Sequence, residues 1–248
     1  MKGRTVLVTG AAKRVGRAIA IAVADKGADV VVHVHSSSPD EVLEQLSKMG
    51  RLVGVVHGDL SNPRDTERVA RDALRLSSID ILVNNAAVFF PTPIETVTVA
   101  EWQYIIAVNL TAPFLLGLMI GKEMRQKGRG KIIHLGDWSG QRPIVGHLPY
   151  CVAKGGLHML TGALAKMFAP TVQVNEVVLG PVWPPNHYDA EALRNLQQRT
   201  PLQRLGQVED VVRAVRFFAE EEGFVTGASY AVDGGWLTLS PGGKDTVL

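Results

Sequence analysis

Tyr150 and Lys154 stand four positions apart in the stretch Lys131 to Leu160, KIIHLGDWSGQRPIVGHLPYCVAKGGLHML. The stretch starts as a short apolar run, crosses a loop of Gly, Pro and polar residues, and ends in a helical pattern that Tyr150 and Lys154 open. Four residues on a helix bring both side chains to one face, about 6 Å apart along the axis. An ammonium this near a phenol, reinforced by the positive end of the helix, favours the phenolate and is expected to lower the tyrosine pKa. A tyrosine tuned toward neutral pH passes a proton to or from a reacting oxygen or nitrogen. Asp137, at the end of the preceding strand, folds back toward the same spot. Y-x-x-x-K alone is an ordinary helical spacing, so its meaning depends on what surrounds it.

The elements that must position these residues read as one α/β domain spanning residues 1–248. Strand-like runs rich in β-branched residues are Thr5–Val8, Val30–Val34, Leu52–His57, Ile79–Asn84, Lys131–Leu135, Val172–Leu179 and Ser229–Val232. Helical patterns begin near Val15, Asp40, Pro63, Val99, Tyr150, Glu191 and Val208. Strict alternation predicts a doubly wound, seven-stranded parallel sheet with helices on both faces, because parallel strands need long crossovers. Continuously apolar runs such as VVVHV and IDILV suit a sheet buried on both sides. Ligands of such sheets sit outside the carboxyl ends of the strands, where the strand order reverses.

The first strand runs into Thr9-Gly10-Ala11-Ala12-Lys13-Arg14-Val15-Gly16 and then a helix. Glycines here let the backbone approach a pyrophosphate, whose charge is welcome at a helix N-terminus. Lys13 and Arg14 would oppose the helix dipole unless they met an anion. The second strand ends His33-Val34-His35-Ser36-Ser37-Ser38, with no carboxylate for a ribose 2′-hydroxyl. Imidazole and hydroxyls there, with Lys13 in reach, suit a 2′-phosphate, so the expected cofactor is NADPH rather than NADH. A metal on His33-x-His35 would need further ligands that the sequence does not supply nearby, and none is expected.

The third strand ends Gly58-Asp59-Leu60 and the fourth Asn84-Asn85-Ala86-Ala87-Val88-Phe89-Phe90-Pro91-Thr92-Pro93. Amides followed by small residues fit a strand end that a flat ligand approaches closely. Phe89 or Phe90, in a Pro-flanked loop, is a candidate stacking platform; ordinary core packing is the commoner fate of paired aromatics. Asn109 lies in the apolar helical run that follows. It is expected either to cap local backbone or to organise water near Tyr150 and Lys154. Pro113 is expected to bend this helix.

Of the 248 residues 46% are hydrophobic and 20% charged, enough for a sizeable core. A formal charge of +2 without blocks of like charge points away from nucleic acid and membrane surfaces. The apolar part of MKGRTVLVTG is too short for a signal peptide, and no segment reads as a membrane span. One cysteine, Cys151, allows no internal disulfide and fits a cytoplasmic location. Residues 240–248 read as a loose C-terminal tail.

Taken together, TGAAKRVG, Asp59-Leu60, NNAA, Asn109, the Tyr150/Lys154 pair and Gly180-Pro181-Val182 resemble the short-chain dehydrogenase/reductase family, as do PLQRLGQVEDV and VTGASYAVDGG. The resemblance covers nearly the whole chain. It implies a single-domain Rossmann fold, commonly a homotetramer, in which a hydride passes between a nicotinamide and a small-molecule substrate. Tyr150 would donate the proton, Lys154 would hold the nicotinamide ribose, and Asn109 would position a water in the relay. The dinucleotide would lie along Gly10, Lys13, Arg14, Val15 and Gly16, then His35, Ser36 and Ser37. Beyond these it would meet Asp59, Leu60, Asn85 and Ala86, with Gly180 and Val182 near the nicotinamide.

Two departures from the common family pattern narrow the resemblance. Arg14 replaces the middle glycine of the first motif, and Asp137 replaces the usual catalytic serine. With the Phe89–Pro93 run these look like the pteridine reductase branch. There the arginine serves phosphates and substrate, the aromatic stacks on the pterin, and the aspartate joins the tyrosine in proton delivery. The implied substrate contacts are Arg14, Phe89, Asp137, Tyr150, Pro181 and Trp183. Residues 183–200 would form the substrate lid. Ala87, Leu179 and Trp183-Pro184-Pro185 depart from that branch. A carbonyl reductase acting on a ketone such as a 3-oxoacyl thioester is the alternative, and a non-catalytic NADP-binding sensor is the third reading. Against the ketone stands Asp137, a poor replacement for the hydroxyl partner of an oxyanion.

Overall fold

A computed structural model describes residues 1–182, 188–220 and 223–238. Its seven strands are β1 (Thr5–Val8), β2 (Asp29–Val34), β3 (Leu52–His57), β4 (Ile81–Asn84), β5 (Gly130–Asp137), β6 (Val172–Leu179) and β7 (Ser229–Val232). They form one parallel sheet in the order β3-β2-β1-β4-β5-β6-β7. The order reverses between β1 and β4, so a crevice opens outside their carboxyl ends.

Eight α-helices cover the sheet among the described residues: α1 (Arg14–Asp25), α2 (Asp40–Lys48), α3 (Pro63–Leu76), α4 (Val99–Ile106), α5 (Ala112–Gln126), α6 (Leu148–Phe168), α7 (Ala190–Arg199) and α8 (Val208–Glu220). Ile19, Leu46 and Val215 of α1, α2 and α8 join one apolar core with Val6, Val8, Ile81 and Val83. Val69, Leu116 and Phe168 of α3, α5 and α6 join a second core with Leu7, Leu82 and Ile132. Alternate residues of each strand therefore serve opposite cores, which is why β4 reads as an unbroken apolar run. Burying one such Ile or Leu contributes roughly 1.5–3 kcal/mol.

Several boundaries differ from the sequence reading, three of them near the site. The fourth strand begins at Ile81 rather than Ile79, because Asp80 is turned to receive the Thr5 amide on its carboxylate. The fifth strand continues past Leu135 to Asp137 by pairing with Val178 and Leu179. Helix α6 starts at Leu148, ahead of the expected Tyr150, with Pro149 in its first turn, where a missing N–H costs nothing.

The helix expected to bend at Pro113 instead carries a π-turn, Ala107–Thr111, between α4 and α5. The continuous segment Val99–Gln126 is 28 residues long with a mean hydropathy of 1.8 in its most apolar window, which corrects the expectation that no segment is long and apolar enough to cross a membrane. Here Ile105, Leu116, Ile120 and Met124 of that segment are buried within the protein.

Candidate active site

The turn after β1 is built for close approach. Gly10 has φ +63°, and a side chain on Gly16 would overlap the Gly10 carbonyl, so α1 packs against the turn with no room for a methyl. Arg14 also lies in the left-handed region, φ +51°, a conformation that costs a non-glycine residue roughly 1–2 kcal/mol. No acidic residue offsets Lys13 and Arg14 in the first turn of α1. Asn85 staples the turn to β4: its side-chain Nδ2 donates to the Thr9 carbonyl at 2.8 Å. The Thr9 hydroxyl accepts from the backbone amides of Asn85 and Ala86 at 2.9 and 3.0 Å.

His33 does what the sequence reading left to chance. Its Nδ1 accepts from the Gly10 amide at 3.1 Å, so Nε2 carries the proton and donates to the Gly58 carbonyl at 3.1 Å. Burial pushes its pKa down to about 4, so the ring is a neutral brace between β1, β2 and β3. The only sequence signal was a histidine between valines in a strand with both faces covered.

A cleft of about 900 Å³ opens over these strand ends. Gly10, Lys13, Arg14, Val15 and Gly16 line it, with His35, Ser36, Ser37, Asp59, Leu60, Asn85 and Ala86. Phe89, Asp137, Tyr150, Lys154, Gly180, Pro181 and Val182 line the same cleft. The glycine cradle, the cations beside it and the polar, acid-free end of β2 fit a dinucleotide phosphate. Trp183 lies outside the described residues, as do the first part of the expected lid and the tail at 240–248. The rest of the lid is helical: α7 buries none of its residues and turns Ala192, Asn195, Leu196 and Arg199 to the cleft.

Asn109 is the exception, since it is buried and does not line the cleft. Its Nδ2 donates to the Val88 and Ile105 carbonyls, each at 3.0 Å, and its Oδ1 accepts from the Val88 amide at 3.3 Å. The side chain therefore caps backbone rather than water. Pro113, four residues on, has no N–H to offer the Asn109 main-chain carbonyl. Any water-positioning role belongs to that carbonyl.

Tyr150 and Lys154 are buried, while Asp137 keeps part of its surface open. Asp137 Oδ1 accepts from the Ser139 amide at 2.9 Å, which turns the carboxyl back over the strand end. The Tyr150 phenol lies beside the Asp137 carboxylate, close enough for the two groups to influence each other's ionisation. Lys154 Nζ donates to the Leu135 carbonyl at 2.7 Å and lies 5.6 Å from the Tyr150 ring centroid.

These contacts overturn the expected direction of the tyrosine pKa. Burial first, and then the neighbouring Asp137 charge, push Tyr150 well above the usual phenol value. Burial likewise raises Asp137, against the Ser139 hydrogen bond and the Lys154 charge. Burial lowers Lys154, opposed by Asp137 and Glu176. Helical spacing alone favoured the phenolate because it omitted desolvation, which here outweighs the ammonium. The phenol stays protonated at neutral pH.

Phe89 is partly exposed at the cleft and meets Tyr150 edge-on at 4.8 Å. One of its faces is already covered by His147, stacked at 4.4 Å and 7°. The sequence reading missed the opposite wall. Trp138 and Trp236 touch at 5.4 Å, and the Arg199 guanidinium sits 5.5 Å over the Trp236 ring. These residues come from three distant segments, and only Trp138, next to Asp137, was within reach of inspection.

The chain matches the family described as enoyl-(acyl carrier protein) reductase over residues 10–237. It is 32% identical to a 2-dehydro-3-deoxy-D-gluconate 5-dehydrogenase of Bacillus subtilis, over 96% of each chain. It is also 32% identical to a 3-oxoacyl-[acyl-carrier-protein] reductase of Synechocystis sp., over 96% of this chain and 98% of that one. Among solved structures it resembles a candidate NAD(P)-dependent gluconate 5-dehydrogenase of Beutenbergia cavernae with bound NADP. There the TM-score is 0.91 and the identity 31%, over 96% of this chain and 98% of that one. A blue fluorescent protein from a metagenomic library, in complex with NADPH, matches with a TM-score of 0.86 and 28% identity, over 95% and 98%. None of these descriptions mentions a pterin, so they give the expected pteridine reductase branch no support. Fold, site and relatives agree at the coarser level: the chain is an oxidoreductase that belongs to the short-chain dehydrogenase/reductase family.

Proposed function

We propose that the protein is an NADPH-dependent reductase of a small ketone, with a 3-oxoacyl thioester or a sugar-derived keto compound as the substrate class. The observation that carries the reading is a protonated Tyr150, beside Lys154, facing the cleft that opens over the glycine turn. Relatives over almost the full length support the ketone: their descriptions name a gluconate 5-dehydrogenase and a 3-oxoacyl reductase. NADP is supported by neighbours solved with it and by His35, Ser36 and Ser37 where an NAD enzyme would carry an acid.

When bound, the dinucleotide supplies a hydride for the carbonyl carbon. Tyr150 donates its proton to the carbonyl oxygen, and Asp137, beside the same hydroxyl, accepts and returns protons at the open side of the site. Lys154 holds the nicotinamide ribose from one turn further along α6. Arg14, Lys13 and the β2 end hold phosphates, and α7 with Trp236 covers the substrate. The same reading carries a homotetramer and a cytoplasmic location, of which sedimentation tests the first.

One observation favours a second reading, reduction of a C=N bond in a dihydropterin. Asp137 stands where a hydroxyl would suit a ketone, and a carboxyl group exchanges hydrogen bonds with a ring nitrogen or amino group. An assay following NADPH absorbance against acetoacetyl thioesters, keto acids, dihydrobiopterin and dihydrofolate separates the two. Turnover of ketones, with little use of NADH, is expected. Turnover of dihydropterins alone would replace the first reading with the second, and oxidation of NADPH by neither would leave a cofactor-binding sensor.

A further inference from the structure

Four polar side chains form a row across the sheet beneath α6. Asn84, His134, Glu176 and Ser229 are successive register partners on β4, β5, β6 and β7. Glu176 is 1% exposed, and a carboxylate that deep is costly unless it is paired. Its Oε2 accepts from His158 Nδ1 at 2.8 Å and from the Ser229 hydroxyl at 2.7 Å. Its Oε1 occupies the space that a side chain at Gly136 would need, so the missing Cβ there is what admits the carboxylate.

The same peptide unit meets the catalytic lysine. Lys154 Nζ donates to the Leu135 carbonyl, and the residue bonded to that carbonyl is Gly136. Lys154 and His158 are four apart on α6 and face the sheet together. The ammonium and the Glu176 carboxylate thus approach one peptide from two elements, and Glu176 favours the charged form of Lys154 against the effect of burial. Asp137 acts in the same direction and more strongly, but burial pushes it toward its neutral form, in which it no longer offers a charge. The titratable groups facing Lys154 are Tyr150 and His158 on its own helix, His134 and Asp137 on β5, and Glu176 on β6.

We propose that Glu176, held by His158 and Ser229 over Gly136, is a counter-charge that acts with Asp137 to keep Lys154 cationic, and so is a positioning residue for the reaction. The proposal rests on the reading of Lys154 as the residue that holds the nicotinamide ribose. Removing a negative charge disfavours the ammonium, so Lys154 would then lose its proton at lower pH.

The test is NADPH binding followed by its fluorescence from pH 7 to 10.5 in wild type, Glu176→Gln, Glu176→Asp and Lys154→Met, with thermal melts to establish folding. Wild-type affinity falls at alkaline pH as Lys154 deprotonates. In Glu176→Gln that fall is expected about one pH unit lower, with Glu176→Asp between the two. A folded Glu176→Gln whose fall coincides with wild type overturns the proposal. Should Glu176→Gln fail to fold, Glu176→Asp decides, since its shorter side chain withdraws from Gly136. Loss of the alkaline fall in Lys154→Met, with Glu176→Gln unchanged, would reject the counter-charge alone. Persistence of the fall in Lys154→Met would reject the role of Lys154 and the proposal together.

Discussion

The Asp137 carboxyl at the end of β5 lies beside the Tyr150 phenol in the first turn of α6, close enough that its charge opposes ionisation of the phenol. Burial holds both groups toward their neutral forms. The Asp137 charge makes the phenol harder still to ionise, whereas the phenol favours the carboxylate. The two therefore titrate as a coupled pair, and the phenol keeps its proton at neutral pH. Reduction of a carbonyl needs such a proton in place before the hydride arrives.

The pair has a stability cost that depends on pH. A carboxyl whose folded pKa lies above its unfolded value loses stability as pH rises past the unfolded value, and the full cost is present above the folded one. Asp137→Asn removes that cost and keeps an acceptor for the Ser139 amide. Solvent at the open side of Asp137 limits the effect. At pH 7 the variant is expected to melt a few degrees higher, at about 2–4 °C per kcal/mol for a chain of this size. Below pH 3.5 the difference should vanish. A lower melting temperature at pH 7 would contradict the direction assigned to Asp137.

Arg14 trades backbone strain for a cation at the glycine turn. Arg14→Gly is expected to stabilise the fold by about 1 kcal/mol while weakening NADPH binding at least several-fold. Thermal melts and a fluorescence titration read the two effects separately. Unchanged affinity would remove Arg14 from the phosphate site.

His33 predicts an acid-sensitive fold. Its pKa is lowered from 6.5 to about 4, so the folded state binds fewer protons than the unfolded chain in that window. Stability therefore falls as pH drops from 6.5 and reaches its full loss, about 3 kcal/mol, below pH 4. His33→Gln offers an acceptor to Gly10 and a donor to Gly58 without titrating. Urea melts at pH 7, 5.5 and 4.5 should show a flatter decline in the variant, and parallel declines would place the acid sensitivity elsewhere.

The seven parallel strands, the glycine turn and the polar strand ends were legible because each is a local pattern: an apolar run, a strand-to-helix turn, a cluster of polar residues after a strand. Segment ends were less so, since Asp80 leaves β4 only through a contact with Thr5 from 75 residues away. The π-turn before Pro113 was hidden because a helix pattern does not reveal where its hydrogen bonding slips. For the same reason backbone capping and water binding stayed open for Asn109 until its contacts with Val88 and Ile105 were seen. The sign of the Tyr150 shift was missed for a different reason: spacing gives the distance to Lys154 and says nothing about desolvation. Trp236 follows a recognised motif and Arg199 falls inside the expected lid, but neither side chain, nor Glu176, was singled out, because only the fold brings them to the site.

Tyr150→Phe tests the central claim most directly, with bound NADPH measured by fluorescence and its oxidation by absorbance in the same samples. The account predicts binding close to wild type and a turnover loss of at least about a hundredfold, the scale of a missing general acid. Turnover retained at the wild-type rate on the same ketone would contradict Tyr150 as the proton donor.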